Sequence, residues 1–250
     1  MSSLLFGQTE RARTLSGMRH QHHPAQPVTA GLRPSICKTD LDAVLAAGWV
    51  DLGHLAPGER RLASRFYETA AVDRARLRAV QEVARSSCEE WTGSRPHPMG
   101  SSYAGTALGR SDIDLYAPMP ERCGSLGELE TLLAGRAVYR KTRPGPTGED
   151  RHLFSYHEGG TRVDLNFVPP SDYRLALAVV HEIRRGLTRE DRVAQTWVKH
   201  LLQERAADDS YDAWKTAMRL RSSATLRALM ATGAADSPGW LQDCAPLGCG

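Results

Sequence analysis

The segment Met99-Gly100-Ser101-Ser102-Tyr103-Ala104-Gly105-Thr106-Ala107-Leu108-Gly109-Arg110-Ser111-Asp112-Ile113-Asp114-Leu115 decides how this chain is read. Asp112 and Asp114 alternate with Ile113 and Leu115, and on a strand residues two apart share a face. Both carboxylates therefore project side by side, and their repulsion calls for a cation between them. Hard oxygen donors of this kind suit Mg²⁺ or Mn²⁺, which share their coordination shell with substrate phosphates. Asp164, within Val163-Asp164-Leu165, repeats the pattern on a later strand. Three acids converging from two strands would hold two metal ions, which clamp the attacking and leaving oxygens of an in-line displacement at phosphorus. Gly100-Ser101 adds a turn whose backbone N–H groups and hydroxyl face a phosphate, and Gly105 lets the backbone pass close by. Taken singly, a D-x-D pair is a solvated edge, Gly-Ser a turn and Asp164 a surface acid. Their order and spacing together point to chemistry.

This order of motifs resembles the DNA polymerase β-like nucleotidyltransferase superfamily, whose signature is a hydrophobic residue, Gly-Ser, a spacer, D-h-D-h and a third acid on a later strand. Gly100-Ser101, Gly105-Thr106, Leu108 and Ser111-Asp112-Ile113-Asp114-Leu115 are most similar to the branch containing non-canonical poly(A) and terminal uridylyl transferases. Oligoadenylate and cyclic-dinucleotide synthases share that branch's layout. The resemblance spans about residues 58 to 230. It implies a mixed sheet carrying the metal site, a helical lobe closing the nucleotide cleft, and transfer of a nucleoside monophosphate from an NTP with release of pyrophosphate. By that resemblance Asp112 and Asp114 bind both metals, while Asp164 binds the catalytic metal and helps deprotonate the acceptor. Val193-Ala194-Gln195-Thr196-Trp197-Val198-Lys199-His200 resembles the helix whose lysine contacts the triphosphate, which makes Lys199 that residue. Asp209-Ser210-Tyr211 resembles the segment whose serine reaches phosphate and whose tyrosine packs on the base. One departure stands out, because a second lysine of some members falls on Gln195 here, which implies a triphosphate held either more weakly or by Arg192 or another arginine.

Outward from the motif, the chain divides by composition. Residues 1–36 lack apolar periodicity and read as a flexible arm, or, since Glu10 is their only acid, as an Arg-rich targeting segment. Residues 37–92 read as helices. A short one carries Leu41, Val44 and Leu45, and a long stretch after Pro57-Gly58 repeats apolar residues at helical steps from Leu62 to Trp91, with Asp73 capping a fresh start. Residues 93–170 read as the catalytic core, with strands at 96–100, 113–117, 137–141, 153–157 and 162–168 and a hairpin through Gly159-Gly160. Residues 171–233 read as a helical lobe. Its first helix ends near Gly186, its second is capped by Thr188 with Asp191, and its third starts near Ser210. Residues 234–250 read as a flexible tail. Helices, then strands, then helices make an α+β fold rather than a repeating βαβ sheet.

Composition excludes several classes. No apolar run approaches the ~18 residues a membrane helix needs. The five cysteines are odd in number and scattered, without a C-x-x-C pair, so neither a disulfide framework nor a zinc site is expected, and a reducing cytoplasmic setting fits. The charge is made from 28 arginines and only four lysines, and nets to +3. So mild a balance lacks the basic stripe of an RNA-tracking protein. The resulting expectation is an Mg²⁺-dependent (or Mn²⁺-dependent) enzyme using ATP or another NTP and a small-molecule acceptor, either a hydroxyl or a carboxylate. RNA 3′-end addition, second-messenger synthesis and a non-catalytic nucleotide-binding protein on the same fold are the alternatives. Lys141, Arg143, His152 and His157 are the side chains available to line an acceptor cleft.

Overall fold

In the computed structural model, which describes residues 38–47, 50–145, 147–204 and five positions between 224 and 231, the expected α+β order is present. Helix α1 (Leu41–Ala47) and a 3-10 turn (Leu52–His54) precede α2 (Pro57–Thr69) and α3 (Ala71–Thr92). Strand β1 (His97–Met99) runs into the short α4 (Gly100–Ala104), then β2 (Ile113–Pro118), α5 (Leu126–Leu132), β3 (Val138–Pro144), β4 (Asp150–Glu158) and β5 (Thr161–Val168). Helices α6 (Pro170–Gly186) and α7 (Arg189–Glu204) follow. The strands form one mixed sheet in the order β1-β2-β5-β4-β3. Only β2 and β5 pair in parallel; every other pair is antiparallel. Among the described residues no helix is long and apolar enough to cross a membrane.

Alternation along the strands divides the sheet into two faces. Ile113, Leu115 and Ala117 of β2, Val163, Leu165 and Phe167 of β5 and Phe154 of β4 are buried on one of them. Leu77, Ala84 and Cys88 of α3 and Leu129 of α5 complete that core. A second core joins α1, α2 and α7 through Leu41, Val44, Ala63, Val193, Val198 and Leu202. The remaining face of the sheet carries Asp114 and Asp164.

The helical stretch from 57 to 92 breaks at Ala70, which caps α3, and Asp73 sits within the first turn instead of at the cap. Strand β1 stops at Met99 because Gly100 turns to φ +63° and opens α4. Strand β3 runs on to Pro144 and β4 starts at Asp150, so that hairpin is longer than its apolar residues suggest. Helix α5 has no counterpart in the sequence reading; its Ser125 hydroxyl accepts from Glu128 N in an N-cap. Thr188 and Asp191 cap α7 reciprocally, as expected. Ser210, Tyr211, the N-terminal arm and the C-terminal tail lie outside the described residues.

Candidate functional site

Register brings the acids together. Asp114 of β2 lies directly beside Asp164 of β5, flanked by the core pairs Ile113–Val163 and Leu115–Leu165. Because neighbours in register share a face, both carboxylates leave the sheet on the side away from the apolar core. Asp112 comes just before β2 and is exposed. Burial pushes the Asp114 carboxyl up to about 7, with the like charges of Asp112 and Asp164 adding to the shift and Lys199 and Arg162 opposing it.

Asp164 is engaged from two sides. Arg162, two residues earlier on the same face, forms a bidentate pair: Nε donates to Oδ1 at 2.8 Å and Nη2 to Oδ2 at 3.0 Å. From the neighbouring strand β4, Ser155 lies opposite Asp164 and its buried hydroxyl donates to Oδ1 at 2.6 Å. The pairing with Asp164 raises the Arg162 guanidinium further. Neither Arg162 nor Ser155 was singled out from sequence. The only signal for Arg162 is its place two residues before an acid on a strand, and Ser155 depends on cross-strand register.

Opposite Asp114 on the edge strand stands Met99, and the chain then reverses at Gly100. A Cβ at Gly100 would strike Asp114 Oδ2 and stand 3.3 Å from its Cγ, so glycine is required there by both the positive φ and the carboxylate. Ser101 follows in α4. From α7, Lys199 reaches across: Nζ donates to Ser101 Oγ at 3.2 Å and to Ser111 Oγ at 2.8 Å, and Lys199 and Ser111 are both buried. The ammonium thus joins the Gly100-Ser101 turn to the loop leading into Asp112. The Ser111 hydroxyl in turn accepts from Leu108 N at 3.0 Å.

Two neighbours on α7 point elsewhere. Gln195 is buried and its amide meets Val50 O at 3.5 Å. Arg192 donates to the carbonyls of Ala104 and Arg184, at 3.0 and 3.3 Å, and so ties α7 to the ends of α4 and α6. Helix α4 is held from its other side by Tyr103, whose hydroxyl meets His181 Nδ1 of α6 at 3.0 Å. His97 packs edge-on against Tyr103.

Across β4 and β3 the carboxylate face turns basic. Leu153 pairs with Asn166 and with Lys141, and Arg151 pairs with Arg143, which puts Arg151, Lys141 and Arg143 on the side of Asp164. Arg151 donates to the Tyr116 hydroxyl at 3.1 Å. His152 belongs to the core face, bonded to Thr142 Oγ1 at 2.8 Å, and does not reach the site.

The donor set suits a hard divalent cation: carboxylate oxygens only, with an acid whose charge its neighbours disfavour. Among the described residues no group of three or more His, Cys, Asp or Glu side chains is drawn together as a ready-made metal cluster. Asp164 is already engaged by Arg162 and Ser155.

No family profile and no curated protein sequence matches the chain. Similar solved structures include Cid1, described by its RNA terminal uridylyl transferase activity, at 16% identity and TM-score 0.37 over 51% of this chain and 41% of that one. The GLD-2/RNP-8 complex is similar at 15% identity and TM-score 0.40 over 62% of each chain. The polymerase core of TRAMP, an RNA surveillance complex, is similar at 18% identity and TM-score 0.36 over 56% of this chain and 46% of that one. This chain therefore spans less than two thirds of the length of the solved chains it matches.

Proposed function

We propose that this chain is a divalent-metal-dependent nucleotidyltransferase that moves a nucleoside monophosphate from ATP or another NTP to an acceptor hydroxyl, with pyrophosphate leaving. The observation that carries this reading is the pairing of Asp114 beside Asp164 on one side of the sheet, with Asp112 just before β2, near a buried Lys199 that bridges Ser101 and Ser111. Lys199 Nζ and Ser101 Oγ are the donors for the triphosphate, a point charge and a hydroxyl fixed before the nucleotide arrives. Asp112 and Asp114 would hold the ions, with Asp164 completing the set. Divalent cations there would neutralise charge on the transferred phosphoryl group and on the departing pyrophosphate. Asp164 is the base for the acceptor proton, with Ser155 keeping Oδ1 oriented and Arg162 yielding Oδ2. Ser210 and Tyr211 are assigned to phosphate and base by resemblance alone.

For the acceptor we place an RNA 3′-hydroxyl, the class of substrate named for Cid1, ahead of the small molecule expected from composition. That expectation rested in part on a net charge of +3, which averages over segregated charges. Lys141, Arg143 and Arg151 sit together on the carboxylate face, and a local basic strip is what a polyanion responds to. Substituting Asp112→Asn and Asp114→Asn together should lower pyrophosphate release from NTP, Mg²⁺ and an oligonucleotide by on the order of 10³-fold. Turnover surviving that double change would sink the metal-site assignment.

A further inference from the structure

A cavity of about 460 Å³ opens where the loop before β2 meets the β4–β5 turn. That is within the ~300–1,000 Å³ range of small-ligand sites. Asp112 and Arg162 stand in its wall, so it adjoins the carboxylates, yet Gly100, Ser101 and Lys199 are absent from the lining. Its chemistry is lopsided. Arg76 from α3, Arg110 from the loop, Arg162 and His157 face it against one lining carboxylate, that of Asp112, while Arg162 is itself paired with Asp164. Arg76 is fixed in place by neutral acceptors: its Nη1 donates to Thr161 Oγ1 at 3.1 Å and its Nη2 to Gly109 O at 2.8 Å. Neither Arg76 nor Arg110 forms an ion pair among the described residues. Guanidiniums gathered around a hollow, with one of them held rigid by carbonyl and hydroxyl oxygens, form a fork for a phosphate group.

We infer that this cavity binds a phosphate ester of the acceptor, and so fixes the acceptor hydroxyl next to Asp112 and Asp164. This rests on the nucleotidyltransferase reading and adds to it a subsite with its own residues. Arg162 is paired with Asp164 at the cavity wall, and it would be free to add to Arg76 and Arg110 if Asp164 served as the metal ligand of the proposed function. The phosphate belongs either to a nucleic-acid backbone or to a phosphorylated small molecule. Its recognition by Arg76 and Arg110 is the same in both cases.

Binding measured without turnover separates this inference from the catalytic one. The full chain, in EDTA and low salt, is titrated with a fluorescent ten-nucleotide oligoadenylate and, separately, with ribose 5-phosphate. At least one probe binds the wild type, and R76A/R110A weakens that probe at least ~10-fold, with a salt slope for the oligonucleotide shallower by up to ~2. Binding of the oligonucleotide alone assigns a nucleic-acid backbone, and binding of ribose 5-phosphate assigns a phosphorylated small acceptor. Failure of both probes on the wild type, or equal affinity in R76A/R110A, overturns the inference. So does an equal loss of ATP affinity, measured with Mg²⁺, because the cavity would then serve the triphosphate. Arg110 is exposed, so R110E alone, with the same expected loss, decides the question should the double variant fail to fold. Loss of turnover in the Asp112/Asp114 variant has no bearing on these binding results, and the reverse also holds.

Discussion

At Gly100 one atom decides whether the site exists. Its φ of +63° is a conformation in which a Cβ costs roughly 1–2 kcal/mol. Here that Cβ would also enter the space of Asp114 Oδ2. Gly100→Ala should therefore lower the melting temperature by several degrees and, by pushing Asp114 out of register with Asp164, cut turnover more than its stability loss explains. Calorimetry beside pyrophosphate release checks both effects. A variant that melts lower yet turns over normally would show that the close approach to Asp114 is incidental. The same scale explains Arg162. Asp164, two residues after Arg162 on one strand face, is already ion-paired, so under the proposed function cation binding there would be an exchange, not an addition to an empty site.

Helix α7 shows structure and function sharing one element. Val193, Val198 and Leu202 face the second core, Gln195 bonds to Val50, Arg192 spans α4 and α6, and Lys199 lies between two serines. Under the proposed function, Lys199→Ala should raise the KM for NTP on the order of tenfold with a smaller effect on kcat, since it would remove a contact made by bound substrate and transition state alike. Steady-state kinetics settles it, and an unchanged KM would return Lys199 to a purely structural role. This helix also marks what was legible beforehand. The D-x-D pair and the Gly-Ser turn are local patterns readable from their spacing, whereas Lys199 was legible only through the resemblance of its helix to a known family. Arg162 and Ser155 at Asp164, Ser111 under Lys199, and Arg76 at the cavity depend on which strands and helices become neighbours, and strand order β1-β2-β5-β4-β3 is not a local property. Helix α5 escaped notice for a different reason. Gly124, Gly127 and Gly135 flank or interrupt its short apolar pattern, while the Ser125–Glu128 cap that starts it was overlooked.

Across the whole molecule, two titrations pull stability in opposite directions. His97 is pushed down from 6.5 to about 4, chiefly by burial. Between those values the unfolded chain binds more protons, so His97 withdraws stability as pH falls through that window. Burial lowers His200 in the same sense. Asp114 is raised from 3.8 to about 7. There the folded chain binds more protons, so Asp114 withdraws stability as pH rises from its unfolded value to its folded one. Each shift corresponds to roughly 3–4 kcal/mol over its full range, and the ranges overlap. Without divalent metal the two oppose each other, so the pH slope of the wild-type melting temperature between about pH 4.5 and 6.5 should lie between those of Asp114→Asn and His97→Phe. Asp114→Asn removes one side of the balance, and its melting temperature should fall toward acid. His97→Phe keeps an aromatic ring against Tyr103 but cannot titrate, and its melting temperature should rise toward acid. Thermal melts of the three proteins in EDTA over that range test the opposition directly. Identical slopes in all three would mean that neither group differs in protonation between the folded and unfolded chain. Divergent slopes of opposite sign would mean that the buried Asp114 carboxylate carries a standing cost near neutral pH, which a cation would relieve under the proposed function.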